Sequence, residues 1–234
     1  MSTVAQEKAG TAAGPFYPSD QYGYAALLTD AERTVLGRLR GVLEEQVQPL
    51  LADYWEQGEF PYQIAQPLYD LNLMAPAELT DGGAKPSGLY EGFRNFELAR
   101  TDASVATFYN AQSGLFRTAV TLGGSAGQVA ELDPKIRSFE LKGVFALTEP
   151  EHGSDIAGGL ETSARREGGE WVIDGAKRWI GGAAAADVLA VFARDQEDGQ
   201  VKCFLVPTDA PGVGIAKILR KTSLRMMQNA DIAL

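Results

Sequence analysis

The spacing of hydrophobic residues along the chain changes at about residue 142. Before that position, apolar residues recur at three- and four-residue steps, which is the period of an amphipathic helix. The first such stripe runs from Val35 to Leu50, and Thr29 with Glu32 predicts a capping box at its start. After residue 142 the period falls to two, as in a β-strand. The pattern therefore predicts a helical first part followed by a β second part.

A long helix is predicted near the end of the first part. Residues 101–104, Thr-Asp-Ala-Ser, are typical of a helix cap, and the helix should run from about Ala103 to Leu122. Small and apolar residues cover most of its surface, so we expect it to be buried. The residues expected to face the interior are Val105, Phe108, Gln112, Leu115, Phe116 and Ala119. A further short helix should end at Pro134.

Short strands separated by turn residues are predicted in the second part. Gly168-Gly169 is typical of a two-residue hairpin turn, and residues 186–193 are almost wholly apolar, which predicts a central strand. Strands with this spacing are typical of a β-barrel or a β-sandwich of about 90 residues. The predicted fold class is therefore multidomain α and β, with an all-α N-terminal domain and an antiparallel, β-barrel-like middle domain.

The composition along the chain predicts three segments. Residues 1–25 are small and polar and contain prolines, and we expect a flexible arm. Residues 26–141 should form the N-terminal helical domain, and residues 142–234 should form the middle β domain. The arm holds no apolar run long enough for a signal peptide or a membrane span, which predicts a cytoplasmic protein.

The overall composition is typical of a soluble globular protein, with 45% hydrophobic and 22% charged residues. The formal net charge of -10 argues against nucleic acid or an anionic membrane as a partner. Local cations and backbone donors could still hold an anionic ligand. Cys203 is the only cysteine, which excludes an internal disulfide. Because Cys203 lies in an apolar run, we expect a buried structural thiol.

Several candidate ligand-binding residues lie where the predicted strand 143–147 is followed by a loop. The loop contains Pro150, Gly153, Ser154 and Asp155, residue types that supply turns and exposed backbone N–H groups. A strand that leads hydroxyl and N–H groups into such a loop can hold a polar, planar or anionic ligand. The alternative is an ordinary strand-to-loop corner.

Three segments together resemble the acyl-CoA dehydrogenase family. Ala146-Leu147-Thr148-Glu149-Pro150, followed by Gly153-Ser154-Asp155 and Gly158, is similar to the family's flavin-binding signature. Lys177-Arg178-Trp179-Ile180-Gly181 lies where the family has its second flavin-contacting strand. Leu224-Arg225-Met226-Met227-Gln228-Asn229 resembles the family's late Arg-containing segment. Asp102-Ala103-Ser104 and the second segment are most similar to the glutaryl-CoA dehydrogenase and plant short-chain acyl-CoA oxidase branch.

The resemblance implies FAD as the cofactor and an acyl-CoA thioester as the substrate. Thr148 is the hydroxyl expected to bond the flavin directly, and Ser154 matches the family's acyl-CoA-contacting serine. The cofactor-binding residues implied are Phe145, Leu147, Thr148, Gly153, Ser154, Trp179, Ile180 and Gly181. The substrate-binding residues implied are Ser154, Tyr109, Gln112, Ser113 and Arg225. Core packing is the alternative for Trp179 and for the three helix residues.

Three positions depart from the family's pattern. Gly181 replaces the usual hydroxyl residue, so a side-chain bond to the flavin is lost, which leaves an oxidase interpretation open. His152, the only histidine, replaces a small residue, and we expect a role in the loop or at the pocket rim rather than catalysis. Ala106 stands where glutaryl-type members carry an arginine, which argues against a dicarboxylyl substrate.

The function implied is α,β-desaturation of an acyl-CoA by an FAD-dependent acyl-CoA dehydrogenase of fatty acid metabolism. The family's catalytic glutamate lies in a C-terminal helical domain that we expect beyond Leu234, so the chain alone should be inactive. No catalytic residue or metal ligand is assigned, and Glu149 should be structural. The alternatives are a short-chain acyl-CoA oxidase and a non-catalytic acyl-CoA-binding module. The partners implied are acyl-CoA, an electron-transfer flavoprotein or oxygen, and further copies of the chain in a homotetramer or homodimer.

Overall fold

The computed structural model describes residues 20–81 and 84–234 of the chain. Most of the predicted arm, residues 1–19, lies outside this part. The helices are α1 (Asp30–Val42), α2 (Leu51–Gln57), α3 (Ala65–Asp70), α4 (Ala77–Thr80), α5 (Gly88–Thr101), α6 (Ala103–Asn110), α7 (Arg117–Gly123), α8 (Ala126–Arg137) and α9 (Ile156–Gly159). A π-turn (Leu43–Val47) and a 3-10 turn (Gln48–Leu50) join α1 to α2, and a second π-turn (Ala111–Phe116) joins α6 to α7.

Helix α1 begins at the capping box that the sequence predicts. The Thr29 hydroxyl accepts a hydrogen bond from the Glu32 backbone N–H at 3.2 Å, and the Glu32 carboxylate accepts one from the Thr29 N–H at 2.8 Å. Such a cap contributes about 1 kcal/mol because it satisfies N–H groups that lack partners inside the helix. The predicted apolar stripe is also confirmed, since Val35, Leu36 and Leu39 are buried in the core.

The long helix predicted after residue 102 is confirmed, but a π-turn interrupts it. Asp102 caps the helix by accepting a hydrogen bond at 2.6 Å from the N–H two residues further on. Because a π-turn adds one residue to a helical turn, the buried positions run from Phe108 to Gln112 to Phe116. Leu115 is 49% exposed. The prediction that Leu115 faces the interior was wrong because it assumed an uninterrupted α-helical period.

The strands of the second part form two sheets. They are β1 (Gly143–Ala146), β2 (Ser163–Glu167), β3 (Glu170–Asp174), β4 (Ala176–Ile180), β5 (Val188–Asp195), β6 (Val201–Pro207), β7 (Gly214–Lys217) and β8 (Ala230–Ala233). One sheet has the order β1-β5-β2-β3 with β6 paired to β5, and the other has the order β4-β8-β7. β5 is therefore central, as its apolar sequence predicts. The fold class of a helical part followed by a β part is confirmed.

The pairing of the strands differs from a purely antiparallel barrel in two ways. Among the described residues the two sheets do not close on each other. In addition, β1 and β2 both pair with β5 in parallel. Parallel pairing joins strands that are distant in the chain, and the period-two pattern within each strand does not reveal such partners.

Two local predictions were wrong. Helix α8 contains Pro134 and continues to Arg137 instead of ending at the proline. Cys203 on β6 is exposed, so it is not a buried structural thiol. β6 has a partner only on its β5 side within the described residues, and an edge position leaves such side chains open to solvent.

The helical and β parts pack directly against each other. Met226 and Met227, which precede β8, are buried in the hydrophobic core of the helical part. In return, Phe116 from the π-turn packs with Val188 and Ala190 of β5. The start of β1 and the residues that follow β4 are therefore held close to the π-turn at Ala111–Phe116.

Candidate functional site

The segment that follows β1 is held in place by a buried ion pair. Lys177 on β4 and Glu149 lie 2.8 Å apart, and both side chains are buried. The Lys177 ammonium also donates to the carbonyl oxygens of Leu147 at 3.2 Å and Phe192 at 2.7 Å. All three N–H bonds of this ammonium are therefore used inside the protein.

The carboxylate of Glu149 is also hydrogen-bonded within the protein. It accepts hydrogen bonds from the backbone N–H groups of Glu161 at 2.7 Å and Thr162 at 2.9 Å, in addition to the Lys177 ammonium. Burial by itself raises the pKa of Glu149, but hydrogen bonds from Lys177, Thr162 and Glu161 outweigh it and lower the pKa to about 2. Glu149 is thus structural, as its sequence position predicts, and it stays ionised at neutral pH.

The two segments that resemble flavin-contacting strands lie side by side. The Thr148 carbonyl accepts a hydrogen bond from the Arg178 N–H at 2.8 Å. Phe145, Leu147 and Thr148 are half-buried. Within residues 20–81 and 84–234, the Thr148 hydroxyl has no hydrogen-bond partner. This hydroxyl is therefore available to a ligand.

Trp179 is exposed, and its backbone adopts an unfavourable conformation. Its φ of 60° lies in the left-handed region, which costs a bulky residue about 1–2 kcal/mol. Its N–H donates to the Asp231 carboxylate at 3.3 Å, and its carbonyl accepts from the Asn229 amide at 3.2 Å. The pairing of β4 with β8 is irregular between Lys177 and Ile180. The Trp179 ring is 64% exposed, which excludes core burial and suits contact with a planar ligand.

The loop after Glu149 presents Gly153 and Ser154 to solvent. Neither the N–H nor the hydroxyl of Ser154 has a hydrogen-bond partner in the part of the chain that the structure describes. His152 braces the loop, because Nδ1 lies 2.7 Å from the Asp155 carboxylate and Nε2 lies 3.3 Å from the Glu161 carboxylate. The hydrogen bonds to Asp155 and Glu161 raise the pKa of His152. This geometry supports the expected loop role for His152.

A small cleft separates the helical part from the β part beside these segments. Its volume is about 20 Å³, which is room for a single water-sized group. Phe108 and Gln112 contribute to its helical wall, and Val144, Gly181 and Met227 contribute to its β wall. Gln112 and Gly181, for which substrate and cofactor contacts were predicted, therefore meet at one cleft.

The side-chain amide of Gln112 is nevertheless used inside the protein. Its nitrogen donates to the carbonyl oxygens of Ile136 at 3.0 Å and Leu141 at 2.6 Å, and its oxygen accepts from the Gly143 N–H at 3.1 Å. These bonds tie the helix to the start of β1. The geometry of Gln112 therefore favours a packing role over substrate contact.

Three other residues with predicted substrate contacts do not line the cleft. Tyr109 is fully buried, and Ser113 follows it one helical turn later. Arg225 donates to the carbonyl oxygens of Trp55 at 3.1 Å and Glu56 at 3.0 Å, in the last turn of α2. Substrate binding by Tyr109, Ser113 and Arg225 stays a prediction.

The pairing of Lys177 with Glu149 was missed by sequence reasoning. Strict alternation along β4 places Lys177 on the opposite face from Ile180. Because of the irregularity at Trp179, the side chains of Lys177 and Ile180 are both buried. A regular two-residue period therefore does not predict that Lys177 is buried.

Comparison with known proteins identifies the family of the chain. Residues 29–140 match the family described as "Acyl-CoA dehydrogenase, N-terminal domain", and residues 144–234 match "Acyl-CoA dehydrogenase, middle domain". The chain belongs to the acyl-CoA dehydrogenase family. The resemblance inferred from the three sequence segments is thereby confirmed.

Relatives in this family are similar over most of the chain. The mitochondrial short-chain specific acyl-CoA dehydrogenase of Mus musculus is 31% identical over 199 residues, which is 82% of this chain and 48% of that protein. Benzylmalonyl-CoA dehydrogenase of Aromatoleum aromaticum is 29% identical over 88% of this chain and 55% of that protein. The chain thus spans about half the length of the curated relatives it matches.

Solved structures of family members share the fold. A glutaryl-CoA dehydrogenase from Mycobacterium smegmatis, in complex with FADH2, has a TM-score of 0.81 and 30% identity. The match covers 91% of this chain and 54% of that one. Butyryl-CoA dehydrogenase from Megasphaera elsdenii has a TM-score of 0.76 and 25% identity, over 88% of this chain and 56% of that one.

Residues 20–81 and 84–234 contain neither a candidate membrane-spanning helix nor a candidate metal-binding cluster. None of the helices there has the length and hydropathy to span a bilayer. No cluster of three or more His, Cys, Asp or Glu side chains in the same residues is placed to hold a metal ion.

Proposed function

We propose that the chain is the N-terminal and middle portion of an FAD-dependent acyl-CoA dehydrogenase, which desaturates an acyl-CoA between its α and β carbons. The observation that carries this proposal is the arrangement at the ends of β1 and β4. There, the Thr148 hydroxyl lacks a partner among the described residues, and the neighbouring segment carries the exposed Trp179. Membership of the family supports the proposal.

The residues present fit a flavin. A planar ring system needs an open aromatic surface and hydroxyl or N–H donors at its edge, and a pyrophosphate needs N–H donors in a glycine-bearing turn. Trp179 and Thr148 meet the first requirement, and Gly153 with Ser154 meets the second. The residues that would hold FAD are Phe145, Leu147, Thr148, Gly153, Ser154, Trp179, Ile180 and Gly181. When bound, FAD supplies the electron acceptor for the oxidation.

The described residues bind and orient rather than transfer a proton. The Lys177–Glu149 pair fixes the backbone on both sides of Thr148. Glu149 is ionised and fully hydrogen-bonded, so it is unsuited to remove a proton next to a thioester carbonyl. From the family resemblance, we expect the catalytic base outside the described residues and expect the chain alone to be inactive. The greater length of the relatives supports this placement.

Titration of the purified protein with FAD, followed by quenching of flavin fluorescence, tests the proposal. We expect saturable binding that Thr148→Val weakens about fivefold, because one hydrogen bond contributes about 1 kcal/mol. Thr118→Val is the matched control, since Thr118 is exposed on α7 and should leave the affinity unchanged. Failure of the protein to bind FAD, or equal losses in the two variants, would contradict the proposal.

The electron acceptor requires a separate measurement. Gly181 lacks the hydroxyl that the family usually has at this position, so an acyl-CoA oxidase is the second candidate. Addition of a short-chain acyl-CoA in air to the full-length enzyme distinguishes the two, because an oxidase forms hydrogen peroxide and a dehydrogenase does not. Homo-oligomeric assembly and cytoplasmic location stay predictions from the sequence.

A further inference from the structure

A buried arginine in the helical part has no counter-charge among the described residues. Arg94 on α5 is 9% exposed and forms no ion pair within residues 20–81 and 84–234. Its Nε is inaccessible to solvent and has no hydrogen-bond partner among the described residues. Its Nη2 donates to the Asn95 side chain at 3.5 Å, which is beyond the usual length of such a bond. Nη1 is not among the atoms closed off in this way, so the guanidinium retains some contact with solvent.

Two tyrosine rings lie beside this guanidinium, and a third buried donor, Ser113, lies near one of them. The central carbon of the guanidinium is 5.2 Å from the ring centre of Tyr109 and 6.0 Å from that of Tyr90. The hydroxyls of Tyr90, Tyr109 and Ser113 are all buried and lack hydrogen-bond partners in the described part of the chain. Ser113 lies near the Tyr109 hydroxyl. Proteins leave few buried polar groups unpaired, so a cluster of this kind needs an explanation.

The two aromatic rings do not replace a counter-charge for Arg94. A cation–π contact is effective within about 6 Å of the ring centre, so the Tyr109 ring lies inside this range and the Tyr90 ring at its limit, and each offsets only part of the cost of burying a charge. Removing a guanidinium from water is costly unless a charge of opposite sign compensates it. Nearby side chains do not provide one. Apart from Arg94, the charged neighbours of the two tyrosines are the cations Arg38 and Arg117 and the carboxylate of Glu91, which is exposed.

All four groups act as hydrogen-bond donors at neutral pH. The guanidinium is always charged. Burial raises the pKa of Tyr109 to about 12 and also raises the pKa of Tyr90, so both hydroxyls keep their protons. A cation with three O–H groups complements an anion. A planar carboxylate, with its two oxygens, matches the guanidinium best.

We propose that Arg94, Tyr90, Tyr109 and Ser113 form a binding site for a carboxylate, supplied by a small organic acid or by an Asp or Glu of another copy of the chain. The site is separate from the proposed flavin site. It shares Tyr109 and Ser113 with the substrate contacts predicted from the sequence, but its test does not require the proposed function to hold. It also differs from the position at which glutaryl-type dehydrogenases carry an arginine, because that position is Ala106 on α6.

Thermal unfolding at constant ionic strength, with sodium formate replacing sodium chloride, tests the site. At ten times its dissociation constant, formate should raise the Tm of the wild-type protein by about 3–6 °C. Arg94→Met keeps a similar volume without the charge, so it should abolish this response and raise the Tm in chloride. Arg33→Met, on the surface of α1, should keep the full response.

Two further variants keep the charge of Arg94. They allow the site to be tested by formate binding even if Arg94→Met does not fold. Tyr109→Phe and Ser113→Ala each remove one hydroxyl and should weaken formate binding about three- to tenfold. If the carboxylate comes from a second copy, the wild-type Tm rises with protein concentration and formate removes this dependence. A wild-type protein that shows neither response overturns the proposal, as does an Arg94→Met variant that responds like the wild type.

Discussion

Lys177 is a fully buried ammonium, and its hydrogen bonds fix three segments at once. It contacts Leu147 and Glu149 after β1, and Phe192 on β5. A buried charge pair of this kind is sensitive to the loss of one partner, because the remaining charge stays in a region from which water is excluded. The position of Thr148 between Leu147 and Glu149 therefore depends on an interaction that is not itself part of the proposed flavin-binding surface.

The substitution Lys177→Met should strongly destabilise the protein. It leaves the Glu149 carboxylate buried without a counter-charge, and we expect the free energy of unfolding in urea to fall by about 3–5 kcal/mol. Lys142→Met is the control, since it removes only the partly exposed pair of Lys142 with Asp187 and should cost at most about 1 kcal/mol. Equal losses in the two variants would show that the buried pair has no special role.

The pH dependence of stability should also report on Glu149. Folding lowers its pKa from an ordinary 4.5 to about 2, so its contribution is present above the ordinary pKa and is lost as the pH falls towards 2. The free energy of unfolding should therefore decrease between about pH 5 and pH 2. In Glu149→Gln this decrease should be shallower than in the wild type. Parallel acid unfolding profiles would refute the assignment.

At the scale of elements, the loop between β1 and β2 is braced by His152. Asp155 and Glu161 bond the two ring nitrogens, and both bonds are strongest when the ring is protonated. Because its pKa is raised, the imidazolium form stabilises the loop below the ordinary pKa of 6.5, and this stabilisation is lost as the pH rises through the folded value.

Titration of the ring protons by NMR measures this effect without ambiguity, because the sequence has one histidine. We expect a pKa above 6.5 for His152 in the wild type. Asp155→Asn and Glu161→Gln should each lower it, whereas Glu151→Gln, on an exposed neighbour, should have a smaller effect. An unchanged pKa in both of the first two variants would mean that the loop is not braced in this way.

Local signals allowed most elements to be predicted, and insertions into the regular pattern account for the errors. Thr29 and Asp102 mark helix starts by side-chain bonds to nearby N–H groups, and both were predicted correctly. The π-turn at Ala111–Phe116 and the irregularity at Trp179 each change the face on which later residues lie. As a result, Leu115 is exposed and Lys177 is buried. A regular helical or strand period predicts neither outcome.

At the scale of the whole molecule, the helical part and the β part are joined through the end of α2. The last carbonyl groups of α2 accept hydrogen bonds from Arg225, and the Gly58 carbonyl accepts from Gln228 at 3.0 Å and Lys217 at 3.3 Å. Cations at a helix C-terminus also interact favourably with its dipole. Sequence reasoning did not predict this arrangement, because the partners lie more than 150 residues apart in the chain.

Removal of Arg225 tests whether this junction stabilises the molecule. Arg225→Ala loses two hydrogen bonds to backbone carbonyls and the contact of the guanidinium with the Trp55 ring at 4.6 Å. We expect the free energy of unfolding in urea to fall by about 1.5–3 kcal/mol. Lys85→Ala, at an exposed position, should change it by less than about 0.5 kcal/mol. A loss in Arg225→Ala no larger than in this control would count against the junction.

A crystal structure of the protein grown with FAD tests the central claim most directly. The account predicts that the isoalloxazine ring lies against Thr148 and Trp179, with a hydrogen bond from the Thr148 hydroxyl to the ring and the pyrophosphate near Gly153 and Ser154. Density for the ring at any other place, or a surface at Thr148 and Trp179 covered by the protein's own side chains in the presence of saturating FAD, would contradict it.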